Sequence, residues 1–325
     1  MRASHETGQV PLSGLSAEAI LEQIAPHYAL PPPRQCRLLA VGMHNNYLVD
    51  SANEKYIVRV YRRNSRSADA IQYELALLDH LHRHGCPVAY PVLTIAAEPS
   101  VTLRATDGKR IAVLFTCAPG SAPGRAIESR HSEALGQVIA RIHHAADSFC
   151  TPHVRQVLDV DYLLDASIEA IRPYLTHAQR AAVQTTQRRI RDTLPVIPRQ
   201  APWFGPCTGD VNPRNVHVDD RGHITVFDFD QCGLGWRAFE IGKFFAALPS
   251  GPTTGAIRAA FLRGYESVRT LAPQEHRAIP PFIAMACLWV MALHVYNADL
   301  VGRLLADPGF WNRKLESLRE LECGL

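Results

Sequence analysis

Three side chains in the second half of the chain have the types and spacing of a site for phosphoryl transfer. Asp210 and Asn215 lie five residues apart in Thr208-Gly-Asp-Val-Asn-Pro-Arg-Asn215, and Asp228 follows Asn215 by thirteen residues. A carboxylate can orient and deprotonate an attacking hydroxyl, whereas Mg²⁺ prefers oxygen ligands such as carboxylates and phosphates. We therefore predict that Asp210 is the catalytic base and that Asn215 and Asp228 bind Mg²⁺.

A predicted β-hairpin would bring the last of these carboxylates back beside Asn215. Val216–Val218 and residues 223–227 have the pattern of two short strands, and residues 219–222 between them are turn-forming types. Pro213 indicates that the segment before Asn215 is a loop rather than a helix. The metal-binding pair is therefore expected to form at the open end of this hairpin.

The composition is that of an ordinary soluble globular protein with room for two lobes. The chain has 325 residues, of which 47% are hydrophobic and 20% charged, and its net charge is +3. The densest basic stretch, residues 59–66, is too short to indicate nucleic-acid binding. The longest apolar run, residues 283–293, is too short to cross a bilayer and predicts a buried helix. We expect that the protein binds neither nucleic acid nor a membrane. We expect it to be a monomer or a homodimer.

The cysteines favour free thiols in a cytoplasmic protein. All eight are scattered without a Cys-x-x-Cys pair, which disfavours a zinc site. Residues 1–20 lack the apolar core of a secretory signal. A reducing compartment is the simplest interpretation of both observations.

The periodicity of apolar residues changes along the chain and predicts two unequal lobes. The predicted elements of the first third are a helix over 17–28, strands over 38–41, 47–49 and 56–61, a helix over 68–84 capped by Ser67, and strands over 92–96, 101–103 and 111–116. The remainder is mainly helical apart from the hairpin. We assign residues 1–117 to an N-terminal nucleotide-binding lobe, with 1–14 frayed, 118–122 to a hinge, and 123–325 to a helical C-terminal lobe.

Two charged residues of the first third face apolar surroundings. Strand alternation places Arg59 on the face of Ile57 and Tyr61, and helical spacing places Glu74 on the apolar face of its helix. Ions that face an interior need partners, so we predict that Arg59 and Glu74 meet each other and a ligand. The alternative is that Arg59 extends from an edge strand and Glu74 sits at the boundary of the apolar face.

The segment 42–49 is a candidate phosphate-binding connection between the first two strands. It contains Gly42, Asn45 and Asn46, whose backbone N–H groups and short amides can contact ATP phosphates. It lacks the Gly-Lys-Ser/Thr ending of a Walker loop. An ordinary hairpin turn is the alternative.

These features together resemble the aminoglycoside phosphotransferase and choline kinase-like superfamily, a branch of the protein-kinase-like fold. The resemblance extends from about residue 38 to 245. Its landmarks, besides those above, are Phe115-Thr-Cys-Ala-Pro-Gly120 as the hinge and Leu135-Gly-x-x-x-Ala-Arg-Ile-His143 as the helix that leads to the catalytic loop. The homoserine-kinase-like and stress-response-kinase-like branches are the most similar.

The resemblance implies an α+β, bilobal fold with a small antiparallel-sheet N-terminal lobe, which carries one key helix, and a larger helical C-terminal lobe. It also implies transfer of phosphate from ATP, or alternatively GTP, with Mg²⁺, to a hydroxyl of a small molecule. ATP would lie between the lobes, with adenine near Thr116 and Ala118 and with Arg59 on the phosphates.

The sequence departs from the family pattern at two positions. Thr208 replaces the usual histidine before Gly-Asp, and Glu240 replaces the aspartate that follows the metal-binding motif. We interpret Glu240 as an anchor for the backbone of the catalytic loop rather than as a substrate ligand. His143 is interpreted as a satisfied core histidine, because the base in this layout is a carboxylate.

The acceptor site is predicted to hold a positively charged amine. Asp230 follows the metal-binding motif, and the late helix 283–300 carries Trp289, Tyr296 and Asp299 at spacings that share one face. Aromatic rings and carboxylates bind amines. The alternative is that Trp289 and Tyr296 are ordinary core residues.

Two other functions are compatible with the catalytic motif. A protein Ser/Thr kinase of the stress-response type is disfavoured because no Ala-Pro-Glu segment or long activation loop follows Asp228. A nucleotide-binding pseudokinase that acts as a scaffold is disfavoured because Asp210, Asn215 and Asp228 are all present. ATP turnover that depends on Asp210 would distinguish an enzyme from a scaffold.

Overall fold

The computed structural model of the chain describes residues 14–32, 34–52, 54–124 and 127–322. They divide into two compact units: the first contains the described residues up to Asp79 and Ala89–Cys117, and the second contains His80–Val88 and the described residues from Ala118 onwards. The frayed segment predicted at 1–14 lies outside the described residues, except for Gly14.

Residues 80–88, which the sequence placed in the N-terminal lobe, pack with the second unit. The Nε2 atom of His80 lies 2.9 Å from the carbonyl oxygen of Ala145. The backbone N–H of Val226 donates to the carbonyl of Pro87 at 2.9 Å. These hydrogen bonds reach far along the chain, so the local pattern of residues 80–88 did not reveal them.

The first unit is built on a five-stranded antiparallel sheet of order β1-β2-β3-β5-β4. Its strands are β1 (Arg34–Val41), β2 (Asn45–Ser51), β3 (Glu54–Val60), β4 (Val101–Ala105) and β5 (Gly108–Thr116). Alternate side chains of β2 to β5 form an apolar core together with helix α1 (Ala17–Ile24). The remaining side chains, including that of Arg59, point to the other face of the sheet.

Helix α2 (Ala68–Arg83) begins where the sequence predicts. The Ser67 hydroxyl accepts a hydrogen bond from the backbone N–H of Ala70 at 3.1 Å, which is the expected N-cap. The strand predicted over 92–96 is wrong. Thr94 begins a turn there, since its backbone N–H donates to the carbonyl of Glu98 and its hydroxyl accepts from the Glu98 N–H.

The second unit is mainly helical, as predicted. Its helices are α3 (Ser129–Ala145), α4 (Ser167–Ile171), α5 (His177–Thr193), α6 (Arg237–Ala247), α7 (Thr254–Glu266), α8 (Pro273–Tyr296), α9 (Ala298–Leu305) and α10 (Pro308–Glu322). Its strands are β6 (Val157–Leu158), β7 (Phe204–Cys207), β8 (Val216–Val218), β9 (Ile224–Val226) and β10 (Gly233–Trp236). The strands β6, β10 and β7 form a small sheet in that order, and β8 pairs with β9 as the predicted antiparallel hairpin.

Helix α8 is the central element of the apolar core of the second unit. It has 24 residues and is long and apolar enough to cross a membrane, but 67% of its most apolar window is buried inside the protein. That burial is the pattern of a core helix. The predicted late helix over 283–300 is therefore two helices, because α8 ends at Tyr296 and Asp299 lies in α9.

The seven cysteines that the structure describes are thiols and not disulfides, as predicted. Cys323 lies outside the described residues. Burial raises the pKa of the Cys207 thiol well above its usual range, so Cys207 is an unreactive core residue.

Two glycines allow α3 and α7 to pack with their backbones in contact. A Cβ atom on Gly136 would lie 2.1 Å from the carbonyl oxygen of Phe261, and one on Gly264 would lie 1.9 Å from that of Glu133. Backbone atoms cannot move away as a flexible side chain can. Only glycine is therefore compatible with this helix pair.

We predict that Gly264→Ala destabilises the protein by about 1–3 kcal/mol or more, because the added methyl group would separate α3 from α7. Gly255→Ala is the matched control on the same helix, since no atom lies within 4 Å of its Cβ position. This control should change the free energy of unfolding by no more than about 1 kcal/mol, in the stabilising direction. Urea denaturation measures the free energy of unfolding of both variants. Equal changes in the two variants would show that the close approach of α3 and α7 does not require glycine at position 264.

Candidate active site

The catalytic loop begins after β7 with Thr208 and then a glycine that no other residue can replace. Gly209 has φ +82, and a Cβ atom there would lie 1.9 Å from the carbonyl oxygen of Gln231. The chain then passes through Asp210 to a short 3₁₀ turn, Pro213–Asn215. This tight passage next to β10 determines where the Asp210 carboxylate is presented.

Asp210 and Asn215 come together as the spacing predicts. The Nδ2 group of Asn215 donates to the Oδ2 atom and to the backbone carbonyl of Asp210, both at 3.0 Å. The amide of Asn212 also donates to that carbonyl, at 3.1 Å. With its N–H groups used in this way, Asn215 keeps its carboxamide oxygen as a potential metal ligand.

The β8–β9 hairpin returns the chain to Asn215, which confirms the predicted path. The backbone N–H of Phe227 donates to the carbonyl of Asn215 at 3.0 Å, one residue before Asp228. Asp228 itself has φ +64, a left-handed conformation that few non-glycine residues adopt. Backbone geometry of this kind is retained where the side chain must point in a particular direction. A carboxylate and a carboxamide oxygen are donors that suit a hard cation such as Mg²⁺.

A lysine that sequence reasoning missed lies against the predicted base. The Nζ atom of Lys243, on α6, is 2.5 Å from the Oδ1 atom of Asp210, and the Lys243 side chain is only 4% exposed. Its position three residues after Glu240 was the available signal, because residues three apart share a helix face. Asp210 is therefore contacted on one oxygen by Asn215 and on the other by Lys243.

Glu240 anchors the backbone of the catalytic loop, as the sequence predicts. Its carboxylate is fully buried and accepts hydrogen bonds from the backbone N–H groups of Thr208 and Gly209, at 3.0 and 2.8 Å, and from the Thr208 hydroxyl. His143 donates a fourth bond, at 2.7 Å. Burial raises the pKa of this carboxyl, but the hydrogen bonds from His143 and Thr208 outweigh burial and lower it. Thr208 therefore supports the loop by donating its hydroxyl to the carboxylate of Glu240, whose side chain is longer than that of the aspartate in the family pattern.

His143 is a satisfied core residue and not a base. It is fully buried, its Nε2–H group donates to Glu240, and its Nδ1 atom accepts from the Tyr265 hydroxyl at 2.7 Å. Burial lowers its pKa to about 4, so the imidazole is neutral near pH 7. The donor atoms of His143, Cys207 and Glu240 lie within 4.8 Å of one another. Because both nitrogens of His143 and both oxygens of Glu240 are used in hydrogen bonds, we interpret the cluster as a loop anchor and not as a metal site.

The predicted Arg59–Glu74 ion pair forms within the first unit. An Nη atom of Arg59 donates to Glu74 at 2.9 Å, and Glu74 has no exposed surface. The Tyr61 hydroxyl donates to the other Glu74 oxygen at 3.0 Å, a contact that the sequence did not suggest. The Arg59 guanidinium also lies 5.3 Å from the centre of the Phe115 ring. Arg59 is thus held in one orientation on the face of the sheet opposite the core.

The connection between β1 and β2 is shorter than predicted. It comprises residues 42–44, so Gly42 lies in it, whereas Asn45 and Asn46 belong to β2 and pair with Val41 and Ala40. Asn45 is 2% exposed, and the Oδ1 atom of Asn46 lies 3.5 Å from the Nε atom of Arg59. Strand β2 begins two residues earlier than the residue types suggest, because pairing with β1 satisfies backbone groups that a longer loop would expose.

The two predicted hinge residues fall on either side of the boundary between the units. Thr116 ends β5, and its hydroxyl accepts from the backbone N–H of Tyr90 at 3.1 Å. Ala118 is the first residue of the second unit after the boundary, and its carbonyl lies 2.9 Å from the Nδ1 atom of His217.

Asp230 is not presented as an open carboxylate. It is 3% exposed, and the Gln231 amide donates to its Oδ2 atom at 3.0 Å. An Nη atom of Arg155 lies 3.9 Å from its Oδ1 atom, and the same guanidinium donates to the backbone carbonyl of Asp230 and to that of Cys232. Sequence reasoning missed Arg155. A cation of the protein therefore occupies the place predicted for an acceptor amine.

The residues predicted on the late helix do not share one environment. Trp289 is fully buried in the core and packs edge-to-face with Phe239, as the core alternative predicts. Tyr296 is 44% exposed, and Asp299 is exposed on α9. The spacing indicated a shared face, but the helix break after Tyr296 separates these residues.

A family model matches this arrangement over most of the chain. The model describes a phosphotransferase enzyme family and covers residues 35–279. The chain belongs to this family. Its enzyme class is that of phosphotransferases with an alcohol group as acceptor, which confirms the resemblance identified from the motifs.

Relatives of similar length support this membership. An uncharacterized protein of Synechocystis sp. is 32% identical to this phosphotransferase over 95% of the chain and 86% of the relative. Homoserine kinase of Burkholderia mallei is 24% identical over 89% of the chain and 90% of the relative.

Solved structures show the same kinase-like fold. A microcompartment-associated aminopropanol kinase has a TM-score of 0.78 and 21% identity, with 95% of this phosphotransferase and 96% of that chain covered. The amicoumacin kinase hAmiN, solved with AMP-PNP, Ca²⁺ and amicoumacin, has a TM-score of 0.77 and 21% identity, with 95% and 94% covered. These likenesses confirm the predicted α+β fold.

We predict that the buried neutral His143 makes the phosphotransferase sensitive to acid. Because its pKa falls from 6.5 to about 4 on folding, only the unfolded chain takes up this proton between those values, and stability decreases as the pH falls through that window. The loss by pH 4 should be roughly 2–3 kcal/mol greater in the wild type than in His143→Gln.

Urea denaturation at several pH values between 7 and 4 measures this difference. His177→Gln, at an exposed position that begins α5, is the control and should keep the pH dependence of the wild type. Parallel curves for the wild type and His143→Gln would show that His143 is not the responsible group.

Proposed function

We propose that this phosphotransferase transfers the γ-phosphoryl group of ATP to a hydroxyl of a small molecule that also carries an amine. The observation that carries the proposal is the convergence of Asp210, Asn215 and Asp228 at the open end of the β8–β9 hairpin. In this proposal Asp210 is the base, and Asn215 and Asp228 supply the two oxygen donors for a metal. GTP is an alternative phosphate donor.

Each step has a residue suited to it. Asp210 accepts the proton of the acceptor hydroxyl while the hydroxyl oxygen forms its bond to the γ-phosphorus. The bond between this phosphorus and the β–γ bridging oxygen breaks, ADP leaves, and the proton on Asp210 passes to solvent. Arg59, fixed by Glu74 and Tyr61, contacts phosphate oxygens of the nucleotide.

Mg²⁺ is the proposed metal, held by the carboxamide oxygen of Asn215 and the carboxylate of Asp228. This donor set fits, because both are hard oxygen ligands and the N–H groups of Asn215 are already used by Asp210. When bound, the ion supplies positive charge that neutralises the phosphate oxygens.

Two observations support an amino alcohol or a hydroxy amino acid as the acceptor. The similar proteins include a homoserine kinase and an aminopropanol kinase, which are named for amine-bearing alcohols. Of the four acceptor residues predicted from the sequence, Tyr296 and Asp299 are exposed and stay candidates for the amine.

The catalytic loop itself suggests how a carboxylate on the acceptor would be recognised. Arg214 is exposed next to Asn215 and forms no ion pair with any residue that the structure describes. A guanidinium matches a carboxylate through two parallel hydrogen bonds. We therefore favour a hydroxy amino acid over a simple amino alcohol.

The alternative functions are less well supported. After Asp230 the chain enters β10 and then α6 without a long intervening segment, which leaves no room there for the activation loop of a protein kinase. A scaffold without catalysis would not need the contacts that orient Asp210.

We predict that a screen of ATP with amino alcohols, hydroxy amino acids, sugars and aminoglycosides finds turnover with amine-bearing alcohols. Homoserine should be a better acceptor than 1-amino-2-propanol, which lacks its carboxylate. With the acceptor found, Asp210→Asn should lower kcat by about 10²- to 10⁴-fold, because the amide cannot accept the hydroxyl proton. A coupled assay for ADP measures the rates.

Asp192→Asn is the control for the loss of one carboxylate, and it should keep wild-type activity because Asp192 is exposed near the end of α5. Turnover of Asp210→Asn within tenfold of the wild type would contradict the base assignment. Turnover only with uncharged acceptors would contradict the acceptor class but not the kinase activity.

We predict that Asp228→Ala abolishes the strengthening of ATP binding by Mg²⁺, because the cation needs the carboxylate together with phosphate oxygens in its shell. Isothermal titration calorimetry with ATP, in Mg²⁺ and in EDTA, measures this strengthening directly. Asp220→Ala, exposed at the hairpin turn, should behave like the wild type. An unchanged Mg²⁺ effect in Asp228→Ala would show that Asp228 is structural.

A further inference from the structure

Lys243 is a nearly buried cation in direct contact with the proposed base. The residue is 3% exposed, and its Nζ atom is 2.5 Å from the Oδ1 atom of Asp210. Within the part of the chain that the structure describes, Asp210 is its one ionic partner. A cation taken out of water requires compensation. Burying the Lys243 ammonium therefore costs free energy that the contact with Asp210 must offset, and a functional role for the charge would explain why it is retained here.

Helix α6 packs closely against its neighbours, which holds the ammonium group of Lys243 in a defined position. A Cβ atom on Gly242 would lie 2.8 Å from the Cβ atom of Phe282, so α6 is in close contact with α8 next to Lys243. One turn earlier, Glu240 holds the backbone N–H groups of Thr208 and Gly209. One face of α6 thus contacts three consecutive loop residues, because Glu240 binds Thr208 and Gly209 and Lys243 binds Asp210.

The choice of lysine at this position is informative. The sequence has 34 lysines and arginines, of which only Lys55, Lys109, Lys243 and Lys314 are lysines and the other 30 are arginines. Arginine therefore serves nearly everywhere that this chain needs a cation, including its buried ion pairs. An ammonium group differs in being compact, with three donors around one point charge. One donor is used by Asp210, and two are left.

The geometry points to Lys243 as a further catalytic residue, an inference that rests on the proposed function. Its ammonium group orients Asp210 and donates its remaining N–H groups to oxygens of the transferring phosphoryl group. During transfer, negative charge spreads over the three equatorial oxygens of that group, so a fixed cation beside the acceptor oxygen stabilises the transition state. Lys243 keeps all its protons throughout, since the hydroxyl proton goes to Asp210.

The test compares Lys243→Met, Lys243→Arg and Lys243→Ala with the wild type, using the best acceptor from the screen. Lys243→Met should lower kcat by about 100-fold or more, with small changes in the KM for ATP, because the charge acts in the transition state. Lys243→Arg should also be impaired, because a planar guanidinium does not fit the space of an ammonium. Ethylammonium chloride added to Lys243→Ala should restore part of the lost kcat.

Two controls separate this role from a structural one. Lys109→Ala, at an exposed position of β5, should keep wild-type activity and should not respond to ethylammonium. Asp210→Asn should not respond either, because its missing group is a base and not a cation. Circular dichroism and ATP titration establish that each Lys243 variant is folded and binds nucleotide.

The outcomes are distinct. A fall in kcat with rescue by ethylammonium supports the inference. A folded Lys243→Met within fivefold of the wild type, or a folded Lys243→Ala without rescue, overturns it. Failure of all three variants to fold would show that Lys243 has a structural role, and this result would also overturn the inference. Absence of turnover in the wild type would instead contradict the proposed function.

Discussion

The buried carboxylate of Glu240 is the interaction on which the geometry of the catalytic loop depends. It accepts the backbone N–H groups of Thr208 and Gly209, the Thr208 hydroxyl and the imidazole of His143. An anion without exposed surface is tolerated only when its oxygens are fully hydrogen-bonded. The loop, α3 and α6 must therefore meet in one arrangement, since any other would leave this charge unsatisfied. Asp210 is the next residue along the loop, so the hydrogen bonds of Glu240 to Thr208 and Gly209 also determine its position.

A second layer of contacts supports Glu240 from behind. The Tyr265 hydroxyl donates to His143 and accepts from Arg269 at 3.0 Å, and Arg269 pairs with Glu275 at 2.9 Å. The chain of hydrogen bonds runs from α8 through α7 and α3 to the catalytic loop. It keeps His143 correctly oriented, while burial keeps the imidazole neutral, which explains why this histidine is buried without being a catalytic group. The close packing of α3 on α7 through their glycines places Tyr265 within reach of His143.

The departures from the family pattern are consistent with each other in this network. Thr208 has a shorter side chain than the histidine that the resemblance implies at its position, and Glu240 has a longer one than the implied aspartate; here the Thr208 hydroxyl donates directly to the Glu240 carboxylate. In the first unit the comparable anchor is Glu74, which holds Arg59 together with Tyr61. In both units a fully buried carboxylate orients the groups that the proposed reaction uses.

The sequence by itself determined the features that act over short distances. The spacing of Asp210 and Asn215 and the turn residues of the hairpin predicted the catalytic motif, and the two periodicities predicted the Arg59–Glu74 pair, because strand alternation and helical faces are local properties. Only the tertiary structure decided the rest. It brought Lys243 to Asp210 across 33 residues, covered Asp230 with Arg155, and buried Trp289 in the core. Such contacts depend on how whole helices and strands pack. Helical spacing puts Lys243 on the same face as Glu240, but it does not by itself identify Asp210 as the partner.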